Sequence, residues 1–389
     1  MSETAYLSPN ATLVTDTIST GNIAIQNDVL KNWMYLTPNA ATANTITAGL
    51  TRFSNTIGQN VFWSNFSRYD TIAASNNGYS GAVLVQDGRV VFIPNGGTNV
   101  GIFNPKTNSF TTRSGITAST YSGGVLLPDG RVAMTAWPVT NIGLYNPVTN
   151  SFTTFSGVGA SINYQYQGGC VSADGRFIMP PYRATNIGIF NPATNIFSTF
   201  TGVGSGTDYY NGAVLLPDGR IIFTPASSTT GNIGIFNPAG GGSFSSVTTG
   251  VSTYSYSGGV VIPDGRVVMC PLGVANIGIF NPLTNSFTTV TPSGITAVAS
   301  NYNNTVLLPD GRVVFLAQAA TNFGVYNPLT NSYTTISGAP GGNAYWGGVL
   351  VPDGRIICAP RSATTVGILY GFNSPVPPEF CLHPMMNKF

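Results

Sequence analysis

The sequence predicts an all-β protein: a seven-bladed β-propeller of four-stranded antiparallel blades, its ring closed by an N-terminal strand that completes the last blade. Three observations carry this. An Asp-Gly-Arg triplet recurs seven times, opened by Asp87, Asp129, Asp174, Asp218, Asp264, Asp310 and Asp353 at intervals of 42, 45, 44, 46, 46 and 43 residues. Every interval is built of short apolar runs rich in Gly, Pro and β-branched residues, which a helical repeat would not tolerate. The last repeat is one strand short, and a matching segment stands just before the first.

The second repeat shows how each element arises. Gly123-Gly124-Val125-Leu126-Leu127 reads as the first strand, an apolar run suited to burial on both faces. Pro128-Asp129-Gly130 is a turn: Pro presets φ, Asp bonds its own backbone, and Gly accepts positive φ. Arg131-Val132-Ala133-Met134 starts the second strand, and Asn141 to Pro147 forms the third, ending at a Pro turn. Ser151-Phe152-Thr153-Thr154 is a short alternating edge strand. Small residues open the first strand of every repeat except the sixth, which has Asn304-Thr305; they fit where first strands crowd the propeller axis.

The seventh repeat runs from Tyr345 to Tyr370, and Gly371-Phe372-Asn373 replaces the Pro turn. Ser67 to Ile72 aligns with Ser332 to Ile336 of the sixth repeat around Tyr69, and is expected to supply the missing strand. The chain therefore divides into an N-terminal arm (1–66), the propeller (67–370) and a C-terminal tail (371–389).

The phrase Leu126-Leu127-Pro128-Asp129-Gly130-Arg131-Val132, followed by Leu144-Tyr145-Asn146-Pro147 and closed by Phe152, resembles the kelch repeat. The resemblance covers about residues 67 to 370. It departs from the family pattern after the second strand, where Pro94-Asn95, Ala136-Trp137 or Pro180-Pro181 replaces Gly-Gly, and at the closing Trp, which is Phe or Tyr. The resemblance implies the propeller fold and, among its relatives, interaction adaptors, lectin-like binders and galactose-oxidase-like copper enzymes. The copper centre needs two propeller histidines, and the single histidine here is His383, in the tail.

Composition bounds the function. Charged residues make up 7% of the chain against about 25% in an ordinary domain, and the net charge is +2. A surface so poor in charge favours association with other proteins, with copies of itself, or with neutral glycans. No basic cluster exists for nucleic acid, no apolar run is long enough to span a membrane, and the N-terminus has no signal-peptide pattern. Fourteen of the twenty-eight charged residues sit in the Asp-Gly-Arg turns, which leaves few groups for acid–base chemistry or a metal. The expectation is no enzyme, no metal and no cofactor. Cys170 and Cys358 fall where sister repeats carry apolar residues and read as small buried hydrophobes, Cys270 sits one place further on, where the sisters vary, and a disulfide framework is not expected.

The candidate ligand- or partner-contacting residues are the tyrosines eight positions before each aspartate: Tyr79, Tyr121, Tyr166, Tyr210, Tyr256, Tyr302 and Tyr345. Set at the start of the inner strand, they would ring one mouth of the central channel. Their competing role is to pack on the adjacent blade and bond a loop. Trp33, Tyr35, Trp63 and Phe389 mark the two arms as candidate anchors. The sequence thus points to a structural or attachment protein, a building block or appendage of a larger assembly such as a virus or phage particle, with the virion as its location. A glycan-binding propeller or a cytoplasmic kelch-type adaptor is the alternative.

Overall fold

The structure is a computed structural model. It describes strands at 5–7, 23–27, 32–36 and 66–69, and the chain from 78 to 370 apart from 117–120, 138, 159–164, 204–209, 227–230, 252–254 and 296–300. The chain divides into two compact units, Met1–Trp63 and Ser64–Phe389. In the first, Ala5–Leu7 lies parallel to Ile23–Asn27, which forms an antiparallel pair with Asn32–Leu36. No helix among the described residues is long and apolar enough to cross a membrane.

The second unit is a ring of seven four-stranded sheets. In the first blade the strands are Tyr79–Leu84, Val90–Pro94, Val100–Asn104 and Ser109–Arg113, antiparallel and in sequence order. The burial of these strands follows their radial place. The second strand is buried along its whole length, whereas the fourth alternates exposed and half-buried positions. The same contrast recurs at Val132–Ala136 and Ser151–Ser156.

The core lies between blades, not within them. Val83, Val91 and Ile93 of the first blade form one cluster with Tyr121, Val132 and Met134 of the second. Across the closure, Tyr79, Val90 and Phe92 of the first blade pack on Val351, Ile357 and Val366 of the seventh. Each fully buried Val, Ile or Phe contributes about 1.5–3 kcal/mol, so every blade is stabilised mainly by its neighbours.

The seventh sheet is completed from the N-terminal side: Phe66–Tyr69 pairs antiparallel with Val366–Leu369. Its register differs from the sequence alignment. Leu369 faces Phe66, as Tyr326 faces Tyr333 in the sixth blade, and Val366 faces Tyr69 as Phe323 faces Ile336. Phe66, not Tyr69, therefore holds the place of the closing aromatic. The repeated signal is an aromatic followed three residues later by a second bulky side chain, as in Phe152 and Phe155 or Tyr333 and Ile336. Aligning on the nearest tyrosine displaced the match by three residues.

The third blade departs from its sisters. Its first strand is reduced to Cys170–Val171, with Tyr166 joined to Pro181 by an isolated bridge. Gly168 and Gly169 both have positive φ (67° and 151°), which breaks the ladder there.

Candidate functional site

Blade topology gives the ring two different faces. The first-to-second and third-to-fourth connections lie on one face, and the second-to-third and inter-blade connections on the other. The first face is nearly the same in every blade. Each Asp-Gly-Arg arginine contacts its own aspartate at 2.6–2.7 Å. The Arg266 guanidinium holds the Asp264 carboxyl below its usual range. Most of these arginines also reach the next blade: Arg89 donates to the Pro147 carbonyl at 2.8 Å, Arg220 to Pro282 at 2.8 Å, and Arg355 to Pro105 at 2.5 Å. The last of these spans the closure of the ring. The triplet is thus a turn and an inter-blade clasp.

The seven tyrosines are buried, at 0–6% exposure. Their hydroxyls turn outward along the blade, away from the channel mouth: Tyr121, Tyr166, Tyr256 and Tyr302 donate to Asn141, Asn186, Asn276 and Asn322 at 2.5–2.9 Å. Their rings meet the fourth-strand aromatic edge-on, as in Tyr121 and Phe152 with centroids 6.3 Å apart. Burial pushes the Tyr79 hydroxyl up to about 12 and raises Tyr166 and Tyr256 further. A contact surface needs exposed atoms, and these rings are spent on holding strands together. Of the arm residues, Trp63 and Phe389 lie outside the described residues; Trp33 and Tyr35 belong to the strand Asn32–Leu36 of the first unit.

The axis is narrowest two residues after each tyrosine. A Cβ added to Gly81 would lie 3.5 Å from the Gly123 Cα, one on Gly212 would lie 3.0 Å from the Gly258 Cα, and one on Gly347 would lie 3.3 Å from the Gly81 Cα. Six of these seven positions are glycine; the seventh is Asn304, held at φ 73°. Next to this waist, toward the variable face, stand Ser80, Ser122, Gln167, Asn211, Ser257, Asn303 and Trp346. Several bond from blade to blade: Asn211 Nδ2 donates to Ser257 Oγ at 3.1 Å, and Ser257 Oγ to Asn303 Oδ1 at 2.9 Å. The belt continues from Asn303 to Gln318 at 3.2 Å and from Gln318 to Asn343 at 3.0 Å.

The seventh blade breaks this pattern at two positions at once. Trp346 replaces the small polar residue, and Arg361 stands where the sisters have Asn95, Trp137, Tyr182, Ala226, Leu272 and Gln318. The Arg361 guanidinium lies 3.6 Å over the Trp346 ring. Its backbone is fixed on both sides, donating to the Ala344 carbonyl and accepting from Gly78 at 2.8 Å each. Burial pushes the guanidinium down to about 10. On the same face Trp137 and Tyr182 form an edge-on pair with centroids 4.9 Å apart. Arg361 and Trp346 escaped sequence reasoning because they are fifteen residues apart. The available signal was that both positions depart from the repeat in one blade.

No family model and no curated protein matches this chain. Solved structures do. Virginiamycin B lyase from Staphylococcus aureus superposes with a TM-score of 0.67 at 14% identity, covering 78% of this chain and 98% of the lyase. A catalytically inactive variant of that lyase with quinupristin gives the same values. A fungal alcohol oxidase of the AA5 family, in complex with copper, has a TM-score of 0.57 at 15% identity over 80% of this chain and 76% of the oxidase. These likenesses show the seven-bladed propeller fold.

They also correct the expectation that the chain is no enzyme. That expectation rested on scarcity of charged groups, yet lyase and oxidase propellers share this architecture, so the fold and composition do not support the exclusion. Among the described residues, no group of three or more His, Cys, Asp or Glu is placed to hold a metal. Cys170, Cys270 and Cys358 are buried free thiols, and burial raises all three.

Proposed function

We propose that this chain is a structural and attachment protein: a rigid propeller appendage of a larger assembly, which engages its target through the face bearing Trp137, Tyr182, Trp346 and Arg361. The sparse charge and the asparagine- and threonine-rich surface favour an assembly such as a virus particle as its setting. The observation that carries the reading is the division of labour between the two faces. One is copied seven times and its ionic groups are spent on clasping blades together. The other varies in loop length and composition and gathers large aromatic residues, and variable loops on a rigid scaffold are where recognition commonly resides. Tyrosine and tryptophan suit such contacts because they bury a large area at small entropic cost. The kelch-type relationship belongs to this reading, supported by the Asp-Gly-Arg and Asn-Pro phrase.

The test is a binding screen of the full chain against immobilised glycans and surface proteins, with one variant on each face. Trp137→Ala is expected to weaken binding about tenfold, the effect of losing an aromatic anchor. Leu283→Ser, at an exposed turn of the opposite face, should leave it unchanged. Absence of any binder, or loss through Leu283→Ser alone, overturns the proposal.

A further inference from the structure

We infer that Trp346 and Arg361 form a recognition site for the carboxylate of an acidic sugar, such as a hexuronic or ulosonic acid. This rests on the attachment reading and names its ligand class. Seven described arginines pair with aspartates, and Arg113 donates to the Asn150 carbonyl at 2.8 Å. Arg361 has no oxygen acceptor among the described residues, and neither has the Trp346 indole N–H. A half-buried guanidinium has lost part of its hydration, so donors with no partner among the described residues favour an acceptor that brings negative charge. Its planar fork matches a carboxylate with two parallel hydrogen bonds.

The site is built in advance. The indole holds the guanidinium plane by stacking, and the two backbone hydrogen bonds of Arg361 fix the strand end that carries it. Ordering these groups is therefore not charged against binding. Beyond the carboxylate, Asn343 offers an exposed amide in the connection to the seventh blade; its Oδ1 accepts from Gln318 Nε2, and Gln318 and Asn303 behind it are buried and bonded to each other. Beside Trp346 the waist is close-set: a Cβ on Gly347 would lie 3.3 Å from the Gly81 Cα. No lysine or second described arginine shares these two repeat positions, so the site suits a single negative charge more than a polyanion.

Isothermal titration of the full-length chain with sodium glucuronate, N-acetylneuraminate, acetate, glucose and glucuronic acid methyl ester tests this. Glucuronate or N-acetylneuraminate is expected to bind at least about tenfold tighter than glucose and the ester, as expected when one charge-assisted pair is gained, and tighter than acetate, which lacks the sugar ring and its hydroxyls. Arg361→Gln should abolish that preference and Arg361→Lys restore only part of it, with unchanged circular dichroism spectra. Trp346→Phe keeps an aromatic stack without the N–H and should weaken binding several-fold. Equal affinity for acetate and glucuronate overturns the sugar assignment, and equal affinity for glucose overturns the carboxylate. If Arg361→Gln binds like the parent, or neither acid binds, the site is wrong. Binding of neutral glycans by a chain that ignores both acids would sink this inference and leave the attachment reading standing.

Discussion

At the scale of single residues, the blade is held by a tyrosine, a glycine and an aromatic in mutual contact. A Cβ added to Gly143 would lie 2.8 Å from the Tyr121 ring and 3.0 Å from the Phe152 ring; Gly101, Gly188, Gly234 and Gly278 meet the same pair of rings or their neighbours at 2.8–3.0 Å. The glycine in each Ile-Gly-apolar third strand is thus required by close approach of rings, not by backbone freedom. Gly143→Ala is expected to destabilise the protein by about 1–3 kcal/mol, the usual cost of overpacking, readable as a shifted urea midpoint at unchanged slope. A stability equal to the parent would show that the rings are not packed there.

The tyrosines also set a pH limit. Burial raises the hydroxyls of Tyr79, Tyr166, Tyr256 and Tyr302, Tyr79 to about 12, while an unfolded tyrosine ionises near 10. A group raised on folding contributes its full stability below the unfolded value and loses it as pH rises through the folded one. Melting temperature should therefore hold up to about pH 10 and fall between 10 and 12. A parallel ultraviolet titration of native protein should show phenolate appearing late. Early titration of most tyrosines without unfolding would contradict their burial.

At the scale of elements, closure of the ring depends on one short strand and one arginine. Phe66–Tyr69 supplies the fourth strand of the seventh blade, and Arg355 donates to the Pro105 carbonyl of the first. Neighbouring residues of a strand aim their N–H groups in opposite directions, so in the pair Ser67 and Arg68 one faces the third strand. The double substitution Ser67→Pro with Arg68→Pro removes that donor and is expected to cost about 2 kcal/mol or more in thermal stability. Differential scanning calorimetry that finds the melting temperature unmoved would mean that the strand does not close the ring. The register of this strand was not legible from the nearest tyrosine, because pairing is fixed by what stands opposite: Leu369 selects Phe66.

At the scale of the whole molecule, a seven-fold copied ring has one side that repeats and one that does not. Repetition made the architecture legible: a fixed period of turn chemistry and apolar strands leaves few other solutions. The role of Tyr121 and its six equivalents was not legible. A tyrosine at a strand entry reads as a channel-mouth contact or as packing, and only the position of Gly143 and Phe152 against its ring decides. Arg361 and Trp346 show the converse. Each is an unremarkable departure in the sequence, and they become a unit only where the second strand of the seventh blade returns beside its first.

The sequence by itself determined the seven blades, their strand order and the turn role of each Asp-Gly-Arg, because local turn chemistry and strand period are properties of neighbours along the chain. The tertiary structure alone decided which tyrosines are buried, which aromatic closes the ring and which arginine lies over Trp346. Those outcomes depend on contacts between blades, over separations that no local pattern encodes.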